Sequence, residues 1–187
     1  MSKPLSSLWR GFPAKIKYVL TVLTFLGISI SVTLAGVLTP LTREDAQELN
    51  RELEEMQEYV STVDIFSGTK LIFGNNFILC LFFFVPFAGP VFGLYVLYST
   101  GVVIAAQSIS LGVNPTLTFL LLFIFPFTWL EFLAYSAAFA QSARLSWRII
   151  KRNCRRELVN TSVMISICAV TLLLAAVTEM AIIKGFT

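Results

Sequence analysis

The chain has 187 residues, of which 56% are hydrophobic and 13% are charged, about half the charged fraction of an ordinary soluble domain. A water-soluble fold of this size cannot cover so much apolar surface, so the composition predicts an integral membrane protein. The net charge of +3 does not indicate a nucleic-acid-binding protein, and the lack of histidine excludes Ser/His/Asp and Cys/His catalytic sites and histidine-ligated metals.

The first predicted transmembrane span covers residues 18–38. These 21 residues carry no charge, and as a helix they cross a hydrocarbon core about 30 Å thick. Lys15 and Lys17 before the run, with small residues near Ala35, also fit a secretory signal peptide. We expect the segment to be retained as a span.

An acidic amphipathic helix is predicted over residues 43–60, opened by a capping box of Thr42 and Asp45. Seven acids fill most of its faces, and apolar residues recur at steps of three and four: Ala46, Leu49, Leu53, Met56 and Val60. We expect an extramembrane helix that rests this stripe on the bundle or on a second copy. The alternative is a binding platform for a partner protein.

Three further spans are predicted between the acidic helix and a basic segment at residues 144–157. After a connector at Ser67-Gly68-Thr69, span two covers residues 70–86 and span three covers 91–111, with a tight reversal at Pro86, Gly89 and Pro90 between them. Span four covers residues 116–143, and its 28 residues exceed what a straight span needs. Pro126 is therefore predicted to kink or interrupt it.

Span five is predicted at residues 158–183, which completes a single all-α membrane domain of about five spans. Ten of the fourteen basic residues lie in segments 1–17 and 144–156, and the positive-inside rule places both in the cytoplasm. The N-terminus is then cytoplasmic, while the acidic helix and the C-terminus are extracytoplasmic. A basic juxtamembrane segment can also bind anionic lipid.

Glu131 is the most informative polar residue, because a carboxylate deep in a span costs about 2.5–3.5 kcal/mol even on mild insertion scales. It shares a helix face with Ala134 and Ala138, which allow close packing. Asn75 and Asn76 can donate hydrogen bonds to it. The sequence leaves two interpretations open, a structural polar clamp between helices and an ion, proton or solute site.

Gly89 and Gly93 form a GxxxG pair, and Gly101 follows on roughly the same side of the helix. We interpret the three as one close-packing interface, with a permeation-lining groove as the alternative. Cys80, Cys154 and Cys168 are too scattered for a zinc or disulfide pattern, so no metal or cofactor site is predicted.

Together these residues resemble the stage II sporulation protein M family over about residues 70–145. The resemblance rests on Phe73, Asn75-Asn76, Gly89, Gly93, Gly101, Pro126, Glu131 and Ala134. In that family the last element usually reads Pro-His-Gly-x-x-Glu, whereas Phe127 and Thr128 replace the His and Gly here. A role that needs the histidine is therefore not carried over.

The resemblance implies a helical multi-pass protein, whose sporulation members help to assemble a cell-wall-degrading complex during engulfment. We therefore expect a membrane scaffold or assembly factor that acts through protein contacts. The alternative is a transporter or channel for an ion, proton or small solute that uses Glu131, in a homodimer. We do not expect an enzyme, because an aspartyl intramembrane protease needs two acids inside spans, and only Glu131 lies deep while Glu179 lies near a span end.

Overall fold

The structure is a computed structural model that describes residues 13–152 and 155–185, with side chains except at residues 14, 52–59 and 61. The described residues form helices and no strand, which confirms the all-α prediction. The helices are α1 (Ala14–Val37), α2 (Arg43–Thr62), α3 (Ile65–Phe83), α4 (Ala88–Ser110), α5 (Pro115–Leu122), α6 (Pro126–Ile150) and α7 (Arg155–Gly185).

Within the described residues, four helices are long and apolar enough to cross a membrane, namely α1, α3, α4 and α7. Helices α5 and α6 form a fifth crossing if they are counted as one span, which is bent by 85° between them. Pro126 is the first residue of α6, where its fixed φ and missing N–H are tolerated. The predicted interruption at Pro126 is therefore confirmed.

Helix packing gives the bundle two chemically different ends. The start of α1 lies beside the end of α6 and the start of α7, with the Arg144 guanidinium 4.8 Å from the centre of the Tyr18 ring. We call this the basic end. At the opposite, acidic end, α2 packs on α4, and Ser110 Oγ donates a hydrogen bond to the carbonyl of Ala46 at 3.3 Å. The two predicted basic segments thus meet at one end where the structure describes them.

The core between the two ends is a cluster of aromatic and small side chains from α3, α6 and α7. The ring of Phe83 lies 4.9 Å from that of Phe139 and 5.2 Å from that of Tyr135. Cys80 and Cys168 are buried in the same cluster. Cys154 lies outside the described residues.

The three glycines of α4 serve two interfaces, so the prediction of a single one was wrong. A Cβ at Gly93 would collide with the Phe139 and Phe83 rings, and one at Gly89 with the carbonyl of Phe83. A Cβ at Gly101 would instead collide with the backbone of α1 at Thr33 and Gly36. The eight residues from Gly93 to Gly101 rotate the helix by about two turns and 80°, which turns Gly101 toward a different neighbour.

Helix α3 begins earlier than predicted, because Ser67-Gly68-Thr69 form its first turns and not a connector. Asp64 caps the helix by accepting hydrogen bonds from the backbone N–H groups of Phe66 and Ser67 at 3.0 and 3.1 Å. Hydrogen bonds from Ser67 and then Phe66 hold the pKa of the Asp64 carboxyl below its usual value. Gly68 packs against Met180 of α7, so this polar first part of α3 lies inside the bundle and not in a loop.

The reversal between α3 and α4 comprises residues 84–87, and hydrogen bonds connect it to α6. Phe87 has a φ of 64°, and its N–H donates to Ser146 Oγ at 2.8 Å. Ser142 Oγ donates to the carbonyl of Val85 at 2.7 Å. These bonds satisfy backbone groups that the reversal takes out of helical pairing. Gly89 and Pro90, predicted in the reversal, lie in the first turn of α4.

Helix α2 begins with the predicted capping box, since Asp45 N donates to Thr42 Oγ1 at 3.2 Å. Its contact with α4 includes the buried Ala46. Asn50, one turn later, is also buried, while Leu49 is 37% exposed. The predicted stripe was therefore wrong at Leu49. The small Ala46 side chain allows α2 to approach α4 closely enough for the Ser110 hydrogen bond.

Candidate functional site

The predicted contact between Glu131 and an asparagine of α3 is present. Glu131 lies in the second turn of α6, and Asn76 lies midway along α3. Asn76 Nδ2 donates to Glu131 Oε1 at 2.5 Å. Glu131 is half-buried, and the next residues on its face, Ala134 and Ala138, are fully packed inside the bundle. The carboxylate thus faces protein, as expected from its cost in lipid.

A cavity of about 670 Å³ surrounds this hydrogen bond toward the acidic end. Its walls come from α2, α3, α6 and α7, and they include Lys70, Asn75, Asn76, Glu131 and Glu179. Lys70 and Asn75 are exposed, so the cavity is open at these residues. Asn75 also lines the cavity. The sequence suggested that both asparagines donate to Glu131, but only the hydrogen bond from Asn76 is observed among the described residues.

Glu179 lines the same cavity, although its position near a span end did not predict a site shared with Glu131. It is half-buried on α7, three residues after the buried Ala176 and seven after the buried Leu172. This spacing places it on the inward face of α7. The helical spacing was visible in the sequence, but the pairing with Glu131 depends on how α6 and α7 pack.

The cavity ends at the aromatic core. Tyr135 follows Glu131 by one helical turn and is buried against Phe83, and Phe139 follows by another turn. Below these rings, Leu172 of α7 is fully buried. In the part of the chain that the structure describes, apolar side chains therefore separate the Glu131 cavity from the basic end.

The arrangement can hold a cation or a hydrogen-bond donor, because two glutamates and two asparagines line one open space. A Ca²⁺ site usually needs more oxygen ligands than this. Among residues 13–152 and 155–185, no group of three or more His, Cys, Asp and Glu side chains has the geometry to hold a metal ion.

A second polar cluster, which the sequence analysis did not identify, lies at the basic end. Gln141 Nε2 donates to Glu157 Oε1 at 3.1 Å and to Thr161 Oγ1 at 3.0 Å, and all three residues are buried. Arg144 and Arg148 lie 3.5 and 3.8 Å from the Glu157 carboxylate. The available signal was that Glu157 is the sole acid within the basic run of residues 144–157.

Comparison with known proteins identifies one family. The model of the family described as "Stage II sporulation protein M" matches residues 20–182, which is most of the chain and extends well beyond residues 70–145. No match to a curated protein or to a solved structure was found.

Proposed function

The chain belongs to the stage II sporulation protein M family, and from that premise we propose that it is a membrane scaffold or assembly factor, not an enzyme, that acts through protein contacts. The observation that carries the proposal is the placement of α2. This helix lies outside the spans, docks on α4 through Ala46, and exposes Glu44, Asp45 and Glu48.

The closed core also favours a scaffold. The rings of Phe83, Tyr135 and Phe139 fill the space that a pathway through one copy would need. A bundle that is packed in this way presents a fixed surface at each end, and its charged acidic end suits recognition of a partner with basic side chains. We propose that this end is extracytoplasmic and that the N-terminus is cytoplasmic, which agrees with the basic residues at the opposite end.

The partner surface can be tested with a photoreactive residue at exposed position 48 in intact cells. We expect a crosslink to another protein. Its yield should fall severalfold when Glu44→Lys reverses one neighbouring charge, because the acidic surface of α2 attracts basic side chains of the partner. Mass spectrometry of the crosslinked product measures both results.

The matched control places the photoreactive residue at Val170, which is 60% exposed in the middle of α7. Position 170 should crosslink to lipid and not to the protein captured at position 48. An identical protein pattern at both positions, or a pattern at 48 that Glu44→Lys leaves unchanged, would remove the support for α2 as the contact surface.

The Glu131 cavity favours a second candidate function, the binding or transfer of a cation or proton. Two carboxylates, from Glu131 and Glu179, share an open cavity within the span region, and ionisable groups inside membranes often mark ion or proton routes. The broken span formed by α5 and α6 is also a feature of many transporters.

Reconstitution in liposomes with pH-sensitive and ion-sensitive dyes separates this candidate from a structural clamp. If Glu131 carries ions or protons, Glu131→Gln should abolish a flux that the exposed-residue control Glu48→Gln retains. If it is a clamp, neither the wild type nor the variants should show flux, and Glu131→Gln should only lower the unfolding temperature by a few degrees, since glutamine still accepts the Asn76 hydrogen bond.

We also propose a homodimer, which would provide a pathway between protomers if the second candidate function is correct. Gly27, Ser31 and Ala35 form an exposed row at four-residue spacing on α1, and such small residues allow two helices to approach closely in lipid. Disulfide crosslinking of Gly27→Cys in membranes should then yield a dimer, and a monomer alone would count against this interface.

A further inference from the structure

Two cavities at the basic end are not used by the proposed function. The first, of about 500 Å³, lies between α1 and α6 and is lined by Lys17, Tyr18, Arg144, Trp147, Arg148 and Lys151. The second, of about 410 Å³, lies among α1, α6 and α7. Tyr18 and Arg144 line both cavities, so the two spaces are adjacent.

The first cavity is strongly basic. Four of its lining residues are cationic, and the single carboxylate near them, Glu157, lies behind Arg144 and Arg148 at 3.5 and 3.8 Å. Positive charge thus outnumbers negative charge, and guanidinium groups suit phosphate because they present several donors in a plane.

The aromatic residues of this cavity mark the membrane interface. Tyr18 begins the apolar part of α1, and Trp147 is exposed near the end of α6. Tyrosine, tryptophan and basic residues concentrate where headgroups meet hydrocarbon. Tyr18 and Trp147 therefore place the first cavity at the depth of the lipid headgroups.

The second cavity continues from the first along apolar side chains. Val19, Val163 and Met164 line it, with Gln141 and Arg144 of α6 at its floor. Val19 and Val163 are more than half exposed, so the groove between α1 and α7 opens toward lipid. A phosphate in the first cavity would therefore have an apolar channel beside it.

We infer that the basic end is a binding site for an anionic phospholipid, with its phosphate in the first cavity and an acyl chain along the groove between α1 and α7. Soluble phosphate shares the same headgroup chemistry, but it would leave the apolar groove unoccupied. The lipid accounts for both cavities and the exposed groove together. General attraction of a basic surface to anionic membranes needs none of these features.

The site can be tested by thermal unfolding of the full chain in detergent micelles with added phosphatidylglycerol, phosphatidylcholine or inorganic phosphate. We expect phosphatidylglycerol to raise the unfolding temperature in a saturable way, and the other two to have little effect. In Lys151→Gln, the phosphatidylglycerol concentration that gives half of the maximal rise in unfolding temperature should increase about fivefold, as expected when one cation at a lipid headgroup is lost.

The matched control is Arg155→Gln, which removes an exposed charge from the same end without lining either cavity. It should leave the phosphatidylglycerol effect unchanged. Equal weakening in Arg155→Gln and Lys151→Gln would show general surface attraction and overturn the site. Equal stabilisation by phosphatidylcholine would overturn it as well, and equal stabilisation by inorganic phosphate would assign the cavity to a soluble anion.

Discussion

Gly101→Ala should strongly destabilise the protein. The new Cβ would overlap the Thr33 carbonyl and lie about 3.0 Å from the Gly36 Cα, and both are backbone atoms of α1. No rotamer change can relieve a clash with backbone, so α1 and α4 must separate along the contact. We expect a loss of about 3 kcal/mol, or roughly 6–12 °C in the unfolding temperature in detergent.

Gly74→Ala is the control for this prediction, because nothing lies within 4 Å of the position of its Cβ. It adds the same methyl group to a spanning helix and should leave the unfolding temperature unchanged or slightly higher, since alanine favours helix over glycine. Gly36→Ala should reproduce the Gly101 effect from the α1 side. Equal midpoints for Gly101→Ala and Gly74→Ala would show that α1 and α4 do not pack as closely as described.

The spans could be predicted because each depends on local properties of the chain. An uncharged run such as residues 18–38 is long enough to cross the membrane whatever surrounds it. Pro126, in the middle of an apolar run, cannot continue the preceding helix without the loss of a backbone hydrogen bond. The capping box of Thr42 and Asp45 is also local, since both bonds lie within one turn.

The helix contacts could be predicted only in part, because they depend on rotation about each helix axis. Gly93 and Gly101 share a helix, but their side-chain positions differ by about 80° and meet different neighbours. Gly36, the partner of Gly101 across the α1 interface, has no sequence signal that links it to residue 101. Ser67-Gly68-Thr69 appeared as a connector because its polarity resembles a loop, while the Asp64 cap that starts the helix was overlooked.

The polar contact of Glu131 could be predicted because a carboxylate inside a membrane is costly unless a hydrogen-bond donor accompanies it. A carboxylate at Glu131 requires a donor, and the asparagines of α3 were the available ones, although only Asn76 makes the bond. Glu179 was assigned separately because its distance from Glu131 along the chain conceals the shared cavity. The basic segment was interpreted through its net charge, which concealed the burial of Glu157 beneath the arginines.

Glu157→Ala should also cause a large loss of stability. The carboxylate side chain is 4% exposed and accepts from Gln141 while it pairs with Arg144 and Arg148. Removing it deprives the buried Gln141 amide of one of its two acceptors and both guanidinium groups of their carboxylate. Loss of one partner from a buried pair costs about 3–5 kcal/mol, and we expect about 2–3 kcal/mol here because the arginines are partly exposed and screened by solvent.

Thermal unfolding in detergent measures this loss, with Glu48→Ala on the exposed face of α2 as the control that should change little. Glu157→Gln should fall between the two, since its amide oxygen still accepts from Gln141. The same carboxylate competes with lipid phosphate for Arg144 and Arg148. Phosphatidylglycerol should therefore raise the unfolding temperature of Glu157→Gln more than that of the wild type, because the freed guanidinium groups then have the phosphate as their acceptor. An unchanged lipid effect in this variant would place the phosphate away from the two arginines.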